Sequence, residues 1–162
     1  MTDEPRIEEI DTPTCRRLLA DHRFGRVGLV DDHGPIIFPV NYVIQDEDVF
    51  FRTDPGTKLL AAGEGRPACF EIDDVDEQRR FGWNVLVRGR LSRVQEPEEL
   101  QRLEGALMEP FPGGSRPHVV RLAAESVSGR RIPLPVDAPA EWFEAPDLGH
   151  LWYGQDASDL MG

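Results

Sequence analysis

The chain has 162 residues, a length typical of one domain, with 40% hydrophobic residues and a net charge of −12 at pH 7. This acidic balance argues against a general nucleic-acid-binding protein, because such domains carry a basic surface. Cys15 and Cys69 form no metal or disulfide motif, and no apolar segment resembles a signal peptide or a membrane span, so we predict a cytoplasmic protein with two free thiols.

The N-terminal part of the chain predicts an acidic arm, a helix and a strand. We expect residues 1–11 to form a loose arm. Thr12 precedes Pro13, a pair typical of a helix start with Thr12 as the N-cap. That helix should end near Arg23, and residues 25–31 should then form a short strand.

Two apolar runs separated by a short acidic turn predict a β-hairpin in the middle of the chain. The first run, residues 35–45, is apolar on both faces, which predicts a strand buried on both sides or lying at an interface. Pro39 within it has no backbone N–H, so it predicts a bulge or an unpaired position. The second run is residues 49–53, and a short helix capped by Thr57 should follow it.

The second half of the chain predicts strands at residues 67–73 and 81–94, the second with clean alternation of apolar and polar positions. A helix is predicted for residues 97–108, and a last strand for residues 118–131. The total is six strands in antiparallel succession and three short helices. This pattern favours a mainly β fold, an antiparallel barrel rather than a parallel sheet.

The C-terminal tail, residues 132–162, is rich in proline and acidic residues. It nevertheless carries four aromatic residues, Trp142, Phe143, Trp152 and Tyr153. Aromatic side chains in such a segment indicate that it packs on another surface, for example on a partner subunit. The chain is therefore divided into an arm (1–11), one barrel domain (12–131) and this tail.

A cluster of hydroxyl and cationic side chains lies where the second hairpin strand meets the short helix. Arg52 and Thr53 end the strand, Thr57 and Lys58 begin the helix, and Lys58 is the only lysine of the chain. Free backbone N–H groups, hydroxyls, an ammonium and a guanidinium together suit an anion such as phosphate. The alternative is a turn in which Thr57 merely caps the helix and the basic residues are solvated.

Two other segments carry groups suited to a planar heteroaromatic ligand. The proline-interrupted strand at residues 39–42 offers backbone groups that are not fully paired. Trp83 could cover a ligand ring, and Asn84 could bond its polar edge. Each segment also has a structural interpretation, a bulged core strand for the first and a core tryptophan beside surface residues for the second.

Taken in order, the segments resemble the pyridoxamine 5′-phosphate oxidase-like, flavin-nucleotide-binding split β-barrel proteins. The resemblance is carried by Gly25 to Gly28, Pro35 to Tyr42, Phe50 to Thr53, Gly56 to Lys58, Phe70 to Asp73 and Trp83 to Gly89. It covers roughly residues 12–131. It implies a six-stranded split barrel with flanking short helices, and a homodimer with FMN at the subunit interface.

The resemblance also implies a role for each candidate residue. Arg52, Thr53, Thr57 and Lys58 would hold the phosphate and the ribityl chain. Pro39, Val40 and Asn41 would lie along the isoalloxazine. Trp83 and Asn84 would line the flavin pocket, from the same subunit or the other one. Asn84 departs from the serine that we expect in many relatives.

The implied function is that of a flavin-dependent oxidoreductase with a small-molecule substrate. The cofactor performs the chemistry in such enzymes, so no catalytic side chain is required. An F420-dependent reductase is an alternative, although its longer anionic tail calls for more basic residues than Arg52 and Lys58. A non-catalytic flavin or haem-binding sensor and a barrel without cofactor are further alternatives. The four histidines show no metal-ligand spacing.

Overall fold

The structure, a computed structural model, describes residues 7–107, 118–135 and 137–143. Within these residues it contains seven strands, three helices and a four-residue helical turn. In chain order they are β1 (Glu8–Ile10), α1 (Thr12–Asp21), β2 (Phe24–Asp31), β3 (Gly34–Gln45), β4 (Asp48–Thr53), α2 (Thr57–Gly63), β5 (Pro67–Asp76), β6 (Phe81–Arg93), α3 (Pro97–Glu104), β7 (His118–Ile132) and α4 (Ala140–Phe143).

All strand pairs are antiparallel, in the order β1-β7-β4-β3-β2-β5-β6. Because β6 also pairs with β7, the six strands from β2 to β7 close into a barrel, which confirms the predicted antiparallel barrel. β1 is an additional strand at the edge of β7. The arm is therefore not loose at Glu8–Ile10, which pair with Gly129–Arg131. A three-residue strand has too few positions for a periodic signal, and an ion pair at 2.8 Å from Arg131 to Glu8 helps to hold it.

The barrel interior is filled by the inward-facing side chains of the strands. On β6, the predicted apolar face is confirmed, since its members are at most 5% exposed: Phe81, Trp83, Val85, Val87 and Leu91. Outside the barrel, Leu103 of α3 and Leu107, which follows this helix, pack against Val43 of β3 and Phe50 of β4. We call this group of residues the α3 cluster. The sheet is thus covered on both sides where β3 and β4 pair.

The first helix packs on the barrel with Cys15, Leu18 and Leu19 buried. Its N-cap is Asp11, whose carboxylate accepts a hydrogen bond from the Thr14 backbone N–H at 2.8 Å. The predicted cap at Thr12 is therefore wrong by one residue. Aspartate is a favoured N-cap residue, and Thr12 is the first residue of the helix itself.

The register of β3 is continuous past Pro39, which lies opposite Arg26 of β2, so of the two predicted alternatives the bulge is absent and the unpaired position is found. The segment Gly34–Asn41 pairs with β2, and Tyr42–Gln45 pairs with β4. Over Gly34–Asn41, the edge of β3 away from β2 pairs with no described strand. A proline beside an unpaired edge needs no bulge, because its missing N–H removes no ladder hydrogen bond there.

The remaining elements match their predicted order with different ends. β5 extends to Asp76, and β7 is continuous from His118 to Ile132. The helix predicted for residues 97–108 ends at Glu104, and Met108 lies outside the described residues. Within the tail, Trp142 and Phe143 belong to α4, while Trp152 and Tyr153 lie outside the described residues. The packing of the tail and the division into three segments stay predictions. Among the described helices, none is both long and apolar enough to cross a membrane.

Candidate functional site

The end of β4 separates two of the candidate residues by the alternation of the strand. Thr53 lies on the inner face with Val49 and Phe51 and is 3% exposed. Arg52 lies on the outer face and is half-buried. The Thr53 hydroxyl donates to the Asp54 carbonyl at 3.0 Å, so its hydrogen is already used within the protein. Thr53 therefore shapes the turn, and a ligand can only donate to its oxygen.

The start of α2 differs from the prediction that Thr57 caps the helix. The N-cap is Gly56, and no side chain caps the helix, so Thr57 is its first residue. Gly56 has φ 152°, in the region that favours glycine, and a Cβ there would meet nothing within 4 Å. Glycine is thus required at this turn by backbone conformation rather than by lack of space.

Lys58 reaches from α2 to β3. Its Nζ lies 3.9 Å from the centroid of the Phe38 ring, within the range of a cation–π contact. Phe38 immediately precedes Pro39. The structure therefore brings the candidate phosphate-binding cation next to the start of the Pro39–Asn41 segment. Phe38 was not among the predicted site residues, although its place on the apolar face with Val40 and Tyr42 was visible in the sequence.

In the Pro39–Asn41 segment, the backbone lies at an open strand edge, whereas the side chains differ in their exposure. Pro39 is exposed, Asn41 is half-buried, and the Val40 side chain is buried in the barrel core. The side chain of Val40 is therefore not available to a ligand, and this residue can contact one only through its backbone. The open edge of β3 supplies N–H and C=O groups without a strand partner among the described residues, and such groups need hydrogen-bond partners when a ligand covers them.

Trp83 and Asn84 lie in another part of the barrel. Trp83 is 5% exposed and meets His22 edge to face, with the ring centroids 5.1 Å apart. Its indole Nε1 is buried and donates to no acceptor among the described residues. Asn84 is half-buried on the outer face of β6. The Trp83 side chain is thus a core residue, as the structural interpretation expected.

A cleft of about 630 Å³ opens beside Trp83 and Asn84, and its walls come from β5, β6 and β7. Ile7, Val75 and Ile132 add apolar surface, and no residue of β4 or α2 lines it. Within one chain, the structure therefore does not bring Trp83 and Asn84 together with Lys58. We call this space the β5–β6–β7 cleft.

An ionic network borders this cleft, and none of its residues was among the predicted site residues. The Arg26 guanidinium donates to Glu71 at 3.2 Å and to Asp73 at 3.1 Å. Burial raises the pKa of Glu71, and the neighbouring charge of Asp73 raises it further, while Arg26 opposes both effects. The available signal was the two-residue spacing of Glu71 and Asp73, which puts two carboxylates on one face of a strand.

Metal chemistry finds no support in the residues that the structure describes. They contain no group of three or more histidine, cysteine, aspartate or glutamate side chains placed to hold a metal ion. Cys15 and Cys69 are free thiols, and Cys15 is fully buried. Burial, together with the charge of Asp11, raises the pKa of the Cys15 thiol, which suits a packing role rather than a reactive one.

Known proteins are similar to this chain in both sequence and fold. A family model described as pyridoxamine 5′-phosphate oxidase matches residues 11–131. An uncharacterized protein of Mycobacterium tuberculosis is 34% identical over 131 residues, which are 78% of this chain and 86% of that protein.

Solved structures extend the comparison. The FAD-binding protein from Mycobacterium smegmatis is 35% identical with a TM-score of 0.63, over 76% of this chain and 97% of that chain. A FAD-binding protein from Mesorhizobium loti has a TM-score of 0.65 over 77% of this chain and 97% of that chain, and at 19% identity it supports the fold alone. The chain belongs to the pyridoxamine 5′-phosphate oxidase family and has its split-barrel fold.

Proposed function

We propose that the protein is an FMN-binding oxidoreductase with a small-molecule substrate. The observation that carries this proposal is the position of Lys58, whose Nζ lies over Phe38 directly before the open edge at Pro39–Asn41. A cation suited to a phosphate and a backbone edge suited to a flat polar ring are therefore neighbours. FMN carries these two groups at opposite ends of one ribityl chain.

The residues of this chain take separate tasks in the proposal. Lys58 holds the phosphate as a point charge, with Arg52 and Thr57 as additional donors. The backbone of Pro39–Asn41 binds the polar edge of the isoalloxazine and orients it. Bound flavin supplies hydride-transfer chemistry, while the protein binds the flavin, orients it and excludes water.

We also propose a homodimer that completes the site. Three large apolar residues are exposed on the outer face of β2 and β3, namely Phe24 (53%), Val30 (61%) and Ile37 (68%). Large apolar side chains exposed on one face of a sheet are typical of a protein–protein interface. In the proposed dimer, the β5–β6–β7 cleft of one subunit, with Trp83 and Asn84, faces Lys58 of the other subunit.

FMN is preferred because Arg52 and Lys58 match the charge of one phosphate. FAD is the second candidate, because the Mycobacterium smegmatis relative at 35% identity is described as FAD-binding. F420 stays a third possibility, with a longer anionic tail. We place the protein in the cytoplasm, where the free thiols of Cys15 and Cys69 would stay reduced.

The cofactor is tested by purifying the protein and recording its absorbance spectrum before and after addition of FMN, FAD or F420. We expect a yellow protein, and tighter binding of FMN than of FAD or F420. A colourless protein that binds none of the three contradicts the proposal. Tighter binding of FAD or F420 would replace the cofactor and keep the site.

Turnover is tested separately, by adding NADH or NADPH to the flavin-loaded protein without oxygen. Loss of the yellow flavin absorbance supports an oxidoreductase with a reduced nicotinamide as donor. A protein that keeps its flavin oxidised with both donors would instead be a flavin carrier or sensor.

A further inference from the structure

We propose that Phe38 is a positioning residue for Lys58, and that it makes the site selective for a flavin that carries a phosphate. The proposal rests on the proposed function, because it concerns the same site. It adds a residue that neither the sequence motifs nor the comparisons assign. The relevant geometry is the 3.9 Å between the Lys58 Nζ and the Phe38 ring centroid.

Both ends of this contact are attached to fixed structure. Phe38 lies on the inner face of β3, opposite Val27 of β2, and packs against the buried core. Lys58 is the second residue of α2, and this helix is anchored by Ala61 and Ala62, which are at most 4% exposed. The aromatic ring and the backbone that carries the ammonium therefore have a defined separation before any ligand binds.

A held ammonium binds a phosphate at a lower entropic cost than a mobile one. A free lysine side chain carries about 2 kcal/mol of rotamer entropy, part of which is lost when its ammonium is ordered by a ligand. The negative face of the ring attracts the ammonium without placing an oxygen atom against it. Phe38 thus orders the Lys58 side chain without itself presenting a carboxylate that would compete with the phosphate.

The binding test compares FMN with riboflavin, which has the same ring system and no phosphate. Phe38→Leu keeps an apolar side chain and removes the aromatic face. We expect it to weaken FMN about two- to five-fold, the range for one cation–π contact, and to leave riboflavin unchanged. In a Lys58→Met background, Phe38→Leu should have no further effect on FMN, because the contact is already absent.

Phe50→Leu is the matched control. Phe50 also faces a cation, with the Arg121 guanidinium 6.0 Å from its ring centroid, but it belongs to the α3 cluster outside the barrel. This variant should leave the ratio of FMN to riboflavin affinity unchanged. A change in that ratio equal to the one in Phe38→Leu would show a general loss of packing and contradict the proposal.

A second measurement needs no flavin, because Lys58 is the only lysine in the chain. Reductive dimethylation with ¹³C-formaldehyde and a borane reductant labels this side chain and the terminal amine, which the pH dependence of their NMR signals tells apart. The ring current of Phe38 should shift the Lys58 methyl signals upfield, and Phe38→Leu should remove the shift. Signals at ordinary positions in the unmutated protein would overturn the proposal.

The outcomes separate the two proposals. If FMN binds and Lys58→Met weakens it, but Phe38→Leu does not, the role of Phe38 fails and the proposed function stands. Equal losses of FMN and riboflavin in Phe38→Leu also overturn it, since Phe38 would then be a wall of the ring site. If neither flavin binds, the proposed function fails and the role of Phe38 fails with it.

Discussion

The two halves of β3 have similar apolar sequences and different surroundings. In Tyr42–Gln45, Tyr42 faces the barrel core and Val43 faces the α3 cluster, so both sides of the strand are buried. In Gly34–Asn41, the inner face packs on the core, while Ile37 on the outer face is 68% exposed. The difference shows that apolar residues on both faces of a strand predict two covered faces, but not what covers them.

The comparison also separates stability from function. The second half is covered by the chain itself, so its residues stabilise the fold. The first half has an open edge and an open face, and it lies beside Lys58 and the Arg26 network. Mutations in the second half should therefore affect folding, and mutations around the first half should affect binding or association.

The largest expected effect is in the second half. Tyr42 is 2% exposed, its hydroxyl donates to the Leu19 carbonyl at 2.6 Å, and its ring meets Phe70 with centroids 4.6 Å apart. Tyr42→Ala should lower the free energy of unfolding by about 3–5 kcal/mol, measured by urea denaturation. Tyr42→Phe removes only the hydroxyl and should cost about 0.5–1.5 kcal/mol. Equal losses in both variants would show that the ring packing contributes little.

The next effect concerns the cation beside the first half. Lys58→Ala should weaken FMN binding by about 1.5–3 kcal/mol, the range for a hydrogen bond to a charged group. Isothermal titration at low salt measures it, and riboflavin binding should change much less. An unchanged FMN affinity would remove Lys58 from the phosphate site.

A smaller effect on folding is expected on the open outer face. Ile37→Arg places a charge at a position that is exposed in the single chain, so the unfolding free energy of the monomer should change by no more than about 0.5 kcal/mol. The proposed homodimer should nevertheless dissociate, which light scattering after size-exclusion chromatography detects. A dimer that persists in Ile37→Arg would place the subunit interface elsewhere.

The smallest effect concerns Glu71, which faces Arg26 on the same outer side. The pKa of Glu71 is raised in the folded protein above its usual value of 4.5, first by burial and then by Asp73. The ionised form is therefore disfavoured by folding, and this penalty is present above the raised pKa and disappears as the pH falls through it. Glu71→Gln should slightly stabilise the protein at neutral pH.

The pH dependence provides the control for this prediction. Below the usual carboxyl pKa, Glu71 is protonated in both folded and unfolded chains, and the two proteins should have the same urea midpoint. A destabilised variant at neutral pH would mean that the bond from Arg26 outweighs the burial penalty. Asp73 also accepts a hydrogen bond from Arg26, so we expect Arg26 to keep a carboxylate partner in Glu71→Gln.

Much of the fold was predictable from local pattern. The alternation on β6 correctly identified its buried face, and the helical spacing of Leu100 and Leu103 identified α3, although Leu107 lies beyond its end. Helix starts were misplaced by one residue at Asp11 and Gly56, because neighbouring polar or small residues are nearly equivalent as caps. β1 was missed because its pairing depends on β7, about 120 positions later in the chain.

The candidate site was predictable as a set of segments and not as a set of side-chain directions. Strand alternation alone separates Arg52 from Thr53 and buries the Val40 side chain, and this could have been read from the pattern. The contact between Lys58 and Phe38 could not, because it joins a helix to a strand two elements earlier. The separation of the β5–β6–β7 cleft from Lys58 likewise depends on barrel closure.

By itself, the sequence determined the antiparallel strand succession, the family and the unusual single lysine, because these depend on composition, periodicity and ordered motifs. Only the tertiary structure decided that Lys58 lies over Phe38 and that β3 pairs with β2 up to Asn41 and with β4 from Tyr42 onward. It also decided that one half of this strand is left open. The physical reason is that closing the barrel brings distant segments together, and strand register then decides which side chains and edges meet.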